Sequence, residues 1–285
     1  EMGNTPSLGN IETEKFRKFM NAKEKMISGT NTTIFEKPVT IKFENVSFKY
    51  PGTEKYVLKN INLELTPYKK VALVGYNGAG KTTTLRCIAT LLNPTEGSVL
   101  VDGHDTVKEA DEARAKIGFL TNDIKLDPQF SVDYLFDFFG KLHKVEPDVL
   151  AQRKEEYFEY FGITEFKDKK IEELSTGMKQ KAAIAVCLAH DPQIVIFDEP
   201  TSGLDIITAR LVTDYLKKLR DMGKLVIIST HIMSEAEKLC DRIGIIIDGC
   251  KVCEDTLDGI CRAYNTDNLE DAFFEMYKAN HKEEE

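Results

Sequence analysis

Three observations predict an α/β fold. Short, unbroken apolar runs recur along the chain: "VALVG" at 71–75, "IVIF" at 194–197, "LVIIST" at 225–230 and "IGIII" at 243–247. Runs of this length suit strands of a parallel sheet buried on both faces. Helical patterns separate them, which predicts helices on both sides of that sheet. The third observation is a break in the alternation: residues 123–190 contain no strand-like run and read as a helical insert.

The elements follow in order. Residues 1–10 are polar. In "IETEKFRKFMNAKEKMIS" (11–28), Ile11, Phe16, Phe19, Met20, Met26 and Ile27 fall near helical spacing, and "SGTNTT" reads as a linker. We expect an N-terminal helix and linker over 1–38 and the main unit over 39–285. "VTIKFENVSFKY" from Val39 and "YVLKNINLEL" alternate like strands joined by a turn at Pro51-Gly52, which predicts an antiparallel β subdomain. Within the insert, Ser131 caps a helix with a Leu135, Phe136, Phe139 and Leu142 face. Pro147-Asp148 opens a second helix, and a third follows Gly177. Asp248-Gly249 marks a hairpin turn and "NLEDAFFEMYKAN" a capped amphipathic helix, giving a C-terminal hairpin and helix over about 246–280.

Composition narrows the function classes. The net charge of −9 argues against gripping a nucleic-acid backbone, so no nucleic-acid partner is expected. No apolar run approaches the ~18 residues of a membrane span, and no secretory signal is evident. The first residue is Glu1 rather than Met, which fits a processed or excised fragment. Six scattered cysteines read as reduced thiols. The CxxC at Cys250 and Cys253 follows a hairpin turn, and a strand there points residues three apart to opposite faces, against a metal or redox role.

"Gly75-Tyr-Asn-Gly78-Ala-Gly80-Lys81-Thr82" fits G-x-x-x-x-G-K-[ST] between a strand and a helix pattern, a P-loop. The glycines let the backbone wrap close to phosphate, and successive N–H groups from Asn77, Ala79 and on to Thr83 can point inward. Lys81 suits the β- and γ-phosphates, and the Thr82 hydroxyl suits Mg2+. "IVIFDE" carries Asp198 and Glu199 at the carboxyl end of a buried strand, where open α/β sheets bind ligands. Asp198 suits the metal, and Glu199 suits the attacking water. His231 ends another buried strand and should reach the same edge as a γ-phosphate contact. "LSTGM" at 174–178 is a second helix start able to face an anion, with Ser175 as cap, Thr176, and Gly177 as permissive backbone.

The P-loop, "LSTGMKQK", "IVIFDEP", "SGLD" at 202–205 and "STH", in this order over 39–250, resemble the nucleotide-binding subunit of an ABC transporter. The resemblance implies ATP and Mg2+ as cofactors and ATP hydrolysis that powers a membrane transporter, an exporter of sodium or drugs among the options. It implies that Tyr50 stacks on adenine and that Asp205 communicates across a dimer. In this family two ATPase domains pair head to tail, so that Ser175, Thr176 and Gly177 of one complete the site of the other. Such a pair docks on a membrane permease at the cytoplasmic face of the membrane. "LSTGM" departs from the usual LSGGQ at Thr176 and Met178. The family's Gln-loop place holds Asn122, a candidate toward the metal, with Gln129 as an alternative. The aromatic stretch Phe130, Tyr134, Phe136, Phe138 and Phe139 lies where the family forms its docking groove, although such rings also fill a helical core. From Ala115 onward the motifs resemble sodium-extrusion type bacterial export ATPases; residues 11–84 resemble single-polypeptide exporters. The rival readings are a soluble ABC-type ATPase of translation or DNA repair, and a nucleotide-gated module that does not hydrolyse.

Overall fold

The structure, a computed structural model, describes residues 39–66, 69–121 and 126–281. The expected helix at 11–28, its linker and Asn122 lie outside the described residues.

Two sheets are formed. The first joins β1 (Ile41–Lys49), β2 (Tyr56–Leu65), β4 (Glu96–Val101) and β5 (His104–Asp105) in the order β2-β1-β4-β5, all antiparallel. The sequence pattern predicts β1 and β2 but not β4 and β5. "EGSVLVDGHD" opens on polar residues and glycine, so its apolar half is too short to stand out. The second sheet has the order β10-β9-β3-β8-β7-β6, with β3 (Lys70–Val74), β6 (Ile117–Leu120), β7 (Ile194–Asp198), β8 (Leu225–Thr230) and β9 (Arg242–Ile247) parallel. β10 (Cys250–Asp255) returns antiparallel on the edge.

The unbroken apolar runs are explained by what covers them. Val71 and Leu73 pack with the antiparallel sheet and with α1 (Lys81–Ile88), while Ala72 and Val74 face the opposite core. Ile194 and Ile196 against Val195 and Phe197, and Ile227 against Val226 and Ile228, repeat the split. Each strand therefore buries both faces, which removes the polar alternation of a half-exposed strand. The described remainder of the first half is α2 (Ala110–Ala115).

Between β6 and β7 the chain forms α3 (Val132–Leu142), α4 (Pro147–Phe161) and α5 (Thr176–Leu188). Ser131 caps α3 by accepting from the Tyr134 N–H, as its residue type predicts. Leu135 and Phe136 are buried and Phe139 packs against them, but Leu142 is 63% exposed. The apolar face thus ends one turn early, where the helix runs past its support. After β7 come α6 (Ile206–Asp221), α7 (Met233–Leu239), α8 (Leu257–Tyr264) and α9 (Leu269–His281). The C-terminal part therefore holds two helices after the hairpin, not one. All six cysteines are free, and among the described residues no cluster of three or more His, Cys, Asp or Glu could hold a metal.

Candidate nucleotide-binding and hydrolysis site

β3 ends at Val74 and the chain turns through Gly75–Gly80 into α1. A Cβ on Gly75 would lie 2.4 Å from the Ile246 carbonyl oxygen, so only glycine lets the loop leave the sheet this close to β9. Gly80, the N-cap of α1, has φ +110, a left-handed conformation that glycine adopts without penalty. Among the described residues no side chain caps this helix, which leaves its first N–H groups to a ligand. Lys81 is buried, and its ammonium donates to the carbonyls of Gly75 at 2.8 Å and Tyr76 at 3.0 Å. Burial pulls its pKa below the usual lysine value, and the Glu199 and Asp198 carboxylates oppose that shift. Asn77 and Gly78 are exposed, Ala79 and Thr83 buried.

The acidic pair sits at the carboxyl end of β7, as expected. Thr82 Oγ1 donates to Asp198 Oδ1 at 3.2 Å, which brings the two hard oxygens together. Glu199 has φ +51, the left-handed region that residues other than Gly, Asn, Asp and His rarely adopt. Its N–H donates to the Ser229 carbonyl and hydroxyl, each at 3.1 Å. The Glu199 Oε1 lies 2.9 Å from His231 Nδ1. The structure thus brings Lys81, Thr82, Asp198, Glu199 and His231 to one sheet edge.

Tyr50 is 38% exposed at the end of β1 and meets Phe48 edge-on at 5.0 Å, so it is not a core tyrosine. Ser175 caps α5 by accepting from the Met178 N–H at 3.3 Å, and Ser175 and Thr176 are exposed. Gly177 lies in the first turn of α5 with no left-handed φ, so backbone conformation alone does not require glycine there. What it supplies is room: a Cβ there would lie 3.2 Å from Thr208 Oγ1 and 3.5 Å from Asp205 Oδ2. Asp205 caps α6, accepting from the Ile207 and Thr208 N–H groups at 3.0 Å and from Thr208 Oγ1 at 2.7 Å. These bonds, led by the Thr208 N–H, hold its carboxyl below the usual range. Gln129 is committed elsewhere: its amide donates to Glu172 at 3.2 Å and accepts from Lys170 at 3.2 Å.

Comparison with known proteins agrees with this geometry. Residues 58–202 match the family model described as ABC transporter. The chain is 33% identical over 232 residues to the ABC transporter ATP-binding protein NatA of Bacillus subtilis (strain 168), covering 80% of this chain and 94% of NatA. The chain belongs to the ABC transporter family. It is the ATP-binding component, an ATPase with the P-loop NTPase fold of that family. Another relative in Bacillus subtilis (strain 168), the linearmycin resistance ATP-binding protein LnrL, is 35% identical over 79% of this chain and 72% of its own. Among solved structures, the ATP-binding cassette MJ0796, dimeric and bound to ADP and phosphate after hydrolysis, superposes with a TM-score of 0.70 at 32% identity. That match covers 76% of this chain and 98% of the cassette. No helix among the described residues is long and apolar enough to cross a membrane.

Two residues that touch this site, Ser229 and Tyr76, are given no role by its sequence motifs. Ser229 was read only as part of the run before His231; a hydroxyl closing an otherwise apolar strand was the available signal. Tyr76, an unassigned position of the P-loop, bonds Asp248 through its hydroxyl and meets Tyr277 of α9 edge-on at 5.9 Å. Burial, with Asp248 adding to it, pushes the Tyr76 hydroxyl up to about 12. Nothing in the sequence flags a pairing 172 residues apart.

Proposed function

We propose that this ABC component hydrolyses MgATP as one half of a head-to-tail pair, docked on a permease at the cytoplasmic face of a membrane, and drives export. The observation that carries the reading is the constellation at one sheet edge: buried Lys81, the Thr82–Asp198 contact and the Glu199–His231 contact. Thr82 and Asp198 fit Mg2+, a hard cation that takes one or two protein oxygens and completes its shell with phosphate and water. When bound, the metal neutralises charge on the β- and γ-phosphates.

The chain's own residues do the rest. The P-loop N–H groups and Lys81 hold the phosphates and oppose the charge that grows as the bond from the γ-phosphorus to the ADP oxygen breaks. Glu199 accepts a hydrogen bond from the attacking water and takes its proton. His231, held by Glu199 through Nδ1, leaves Nε2 for contact with a γ-phosphate oxygen. Tyr50 provides an exposed ring for the base. Ser175, Thr176 and Gly177 present an exposed helix start for the γ-phosphate of the paired domain, and Asp205, beside Gly177, connects the two. The dimeric cassette MJ0796 supports this pairing.

The aromatic stretch divides in a way that supports a docking face. Phe136 is fully buried, while Phe130, Tyr134 and Phe138 form an exposed stack with centroids 4.6 and 6.2 Å apart. An exposed apolar ladder of this kind suits a permease segment. Asn122 is the candidate for the Gln-loop role. Hydrolysis argues against the non-hydrolysing module, and the family model names transporters rather than factors of translation or repair.

Glu199→Gln tests the reading. The expected result is intact MgATP binding, a turnover reduced by at least about a hundredfold, and an ATP-stabilised dimer on gel filtration. Unchanged turnover removes Glu199 from the water, and with it the reading of this edge as the hydrolytic site.

A further inference from the structure

We propose that Ser229 is a positioning residue that sets both carboxylates of the hydrolytic edge; the proposal rests on the hydrolytic reading of Asp198 and Glu199. Ser229 is the fifth residue of β8 and pairs with Asp198 of β7 in register. It is 0% exposed. A buried hydroxyl must find partners, and it carries one donor and two acceptor positions. Here the hydroxyl donates to Asp198 Oδ1 and accepts the Glu199 N–H at 3.1 Å. One side chain therefore holds two consecutive residues, each through a different atom.

Both contacts fall where geometry matters. Asp198 Oδ1 is the same oxygen that accepts from Thr82 Oγ1, so Ser229 orients the carboxylate that faces the metal position. Glu199 sits in the left-handed region, a conformation that survives only where its surroundings impose it. The two bonds from its N–H to Ser229 impose it, and the turn aims the side chain at His231. Valine at 229 would suit an internal parallel strand as well or better, so strand packing alone gives no reason for serine here. The next residue braces the following segment through separate atoms: Thr230 Oγ1 and Thr201 Oγ1 donate to the two oxygens of Glu235 at 3.0 and 2.7 Å. Loss of the Ser229 hydroxyl therefore leaves β8, its carbonyl bond to Glu199 and the Thr201 brace in place. What it removes is the donor to Asp198 and half of the hold on Glu199.

The test compares Ser229→Ala, Ser229→Thr, Asp198→Asn and Glu199→Gln in the full chain. Three quantities are read: kcat and KM for ATP, Mn2+ affinity in the presence of a non-hydrolysable ATP analogue by electron paramagnetic resonance, and the thermal midpoint. Residues behind a metal ligand typically change affinity or rate by about 10- to 100-fold. Ser229→Ala should lower kcat by about tenfold or more and weaken Mn2+ binding several-fold, with KM for ATP changed by less than about threefold. Ser229→Thr, which keeps the hydroxyl, should recover Mn2+ affinity even if its extra methyl lowers the midpoint. Wild-type kcat and Mn2+ affinity in Ser229→Ala overturn the proposal. So does a loss of activity that only tracks the folded fraction while Mn2+ affinity stays unchanged. If Asp198→Asn and Glu199→Gln themselves turn over normally, the hydrolytic reading fails first and is recognised as the cause.

Discussion

The two anion-facing helix starts of this chain differ in what their own chain brings to them. The start of α1 has a left-handed glycine, no side-chain cap among the described residues, a buried lysine, and two carboxylates from β7 within reach of that lysine's charge. The start of α5 has a serine cap, exposed Ser175 and Thr176, and a neighbour, Asp205, whose Oδ1 accepts two N–H groups of α6 and whose Oδ2 accepts the Thr208 hydroxyl. The first gathers, within one chain, the groups that a phosphate site needs. The second is a surface whose contacts are met locally, with Gly177 keeping it open and the exposed Ile206 and Ile207 beside Asp205. Under the proposed pairing, the difference teaches that a signature motif can be structurally finished and chemically half a site.

The largest effect should come from the start of α1. Lys81→Ala removes a charged donor from the phosphates, and losing such a bond weakens nucleotide binding by about 10- to 100-fold. Fluorescent-nucleotide titration checks this; wild-type affinity means the loop holds its ligand without Lys81. Gly177→Glu should break only the other start: turnover is lost while affinity at Gly75–Thr82 stays within about threefold of wild type, because the anion repels a phosphate brought by the partner. Mixing these two inactive proteins sharpens the contrast. In a mixed dimer one composite site has both an intact P-loop and an intact signature. ATP-dependent closure, read by a cross-link, should return. Mixed dimers that form but never close mean that each start serves its own chain.

The legibility of the sequence follows the same division. The P-loop, the Asp198-Glu199 strand end and His231 were readable because their chemistry is local: a turn, an apolar run, an acid at its end. The antiparallel partner strand at 96–101 was hidden by its polar start, and the second C-terminal helix at 257–264 by its position just past the hairpin. Ser229 and Tyr76 were missed because their partners are 31 and 172 residues away, and only folding puts them in contact. Gly177 is recognisable as an open backbone position, but how that openness is used is not. Sequence identifies a glycine, but whether it serves φ or space depends on Thr208 and Asp205, which belong to another helix.

Asp205 offers a smaller effect that separates capping from communication. Asp205→Ala removes an N-cap, at a cost of about 1 kcal/mol or about 2–4 °C in melting temperature for a domain this size. Asp205→Asn keeps the capping oxygen and should recover most of that stability. If Asp205 also links the paired domains, both variants lower turnover, and the asparagine does so at a nearly normal melting temperature. A turnover that simply follows the melting temperature reduces Asp205 to a cap.

The smallest change tests the meaning of the space at Gly177. Gly177→Ala improves helix propensity by up to about 1 kcal/mol, but the new methyl would lie 3.2 Å from Thr208 Oγ1. That hydroxyl has little freedom to retreat, because it donates to Asp205 at 2.7 Å. The two effects oppose each other, so the stability should change by no more than about 0.5 kcal/mol. Turnover can still fall, for either of two reasons. Either the methyl pushes Thr208 and Asp205 within its own chain, or it stands where the partner's γ-phosphate must come. Thr208→Ala in the same chain removes the internal contact and leaves the methyl in place. If turnover recovers in the double variant, the space served the packing of α5 on α6, and the half-site comparison loses its steric argument. If it stays low at a nearly unchanged melting temperature, the space is kept for a phosphate that this chain does not carry.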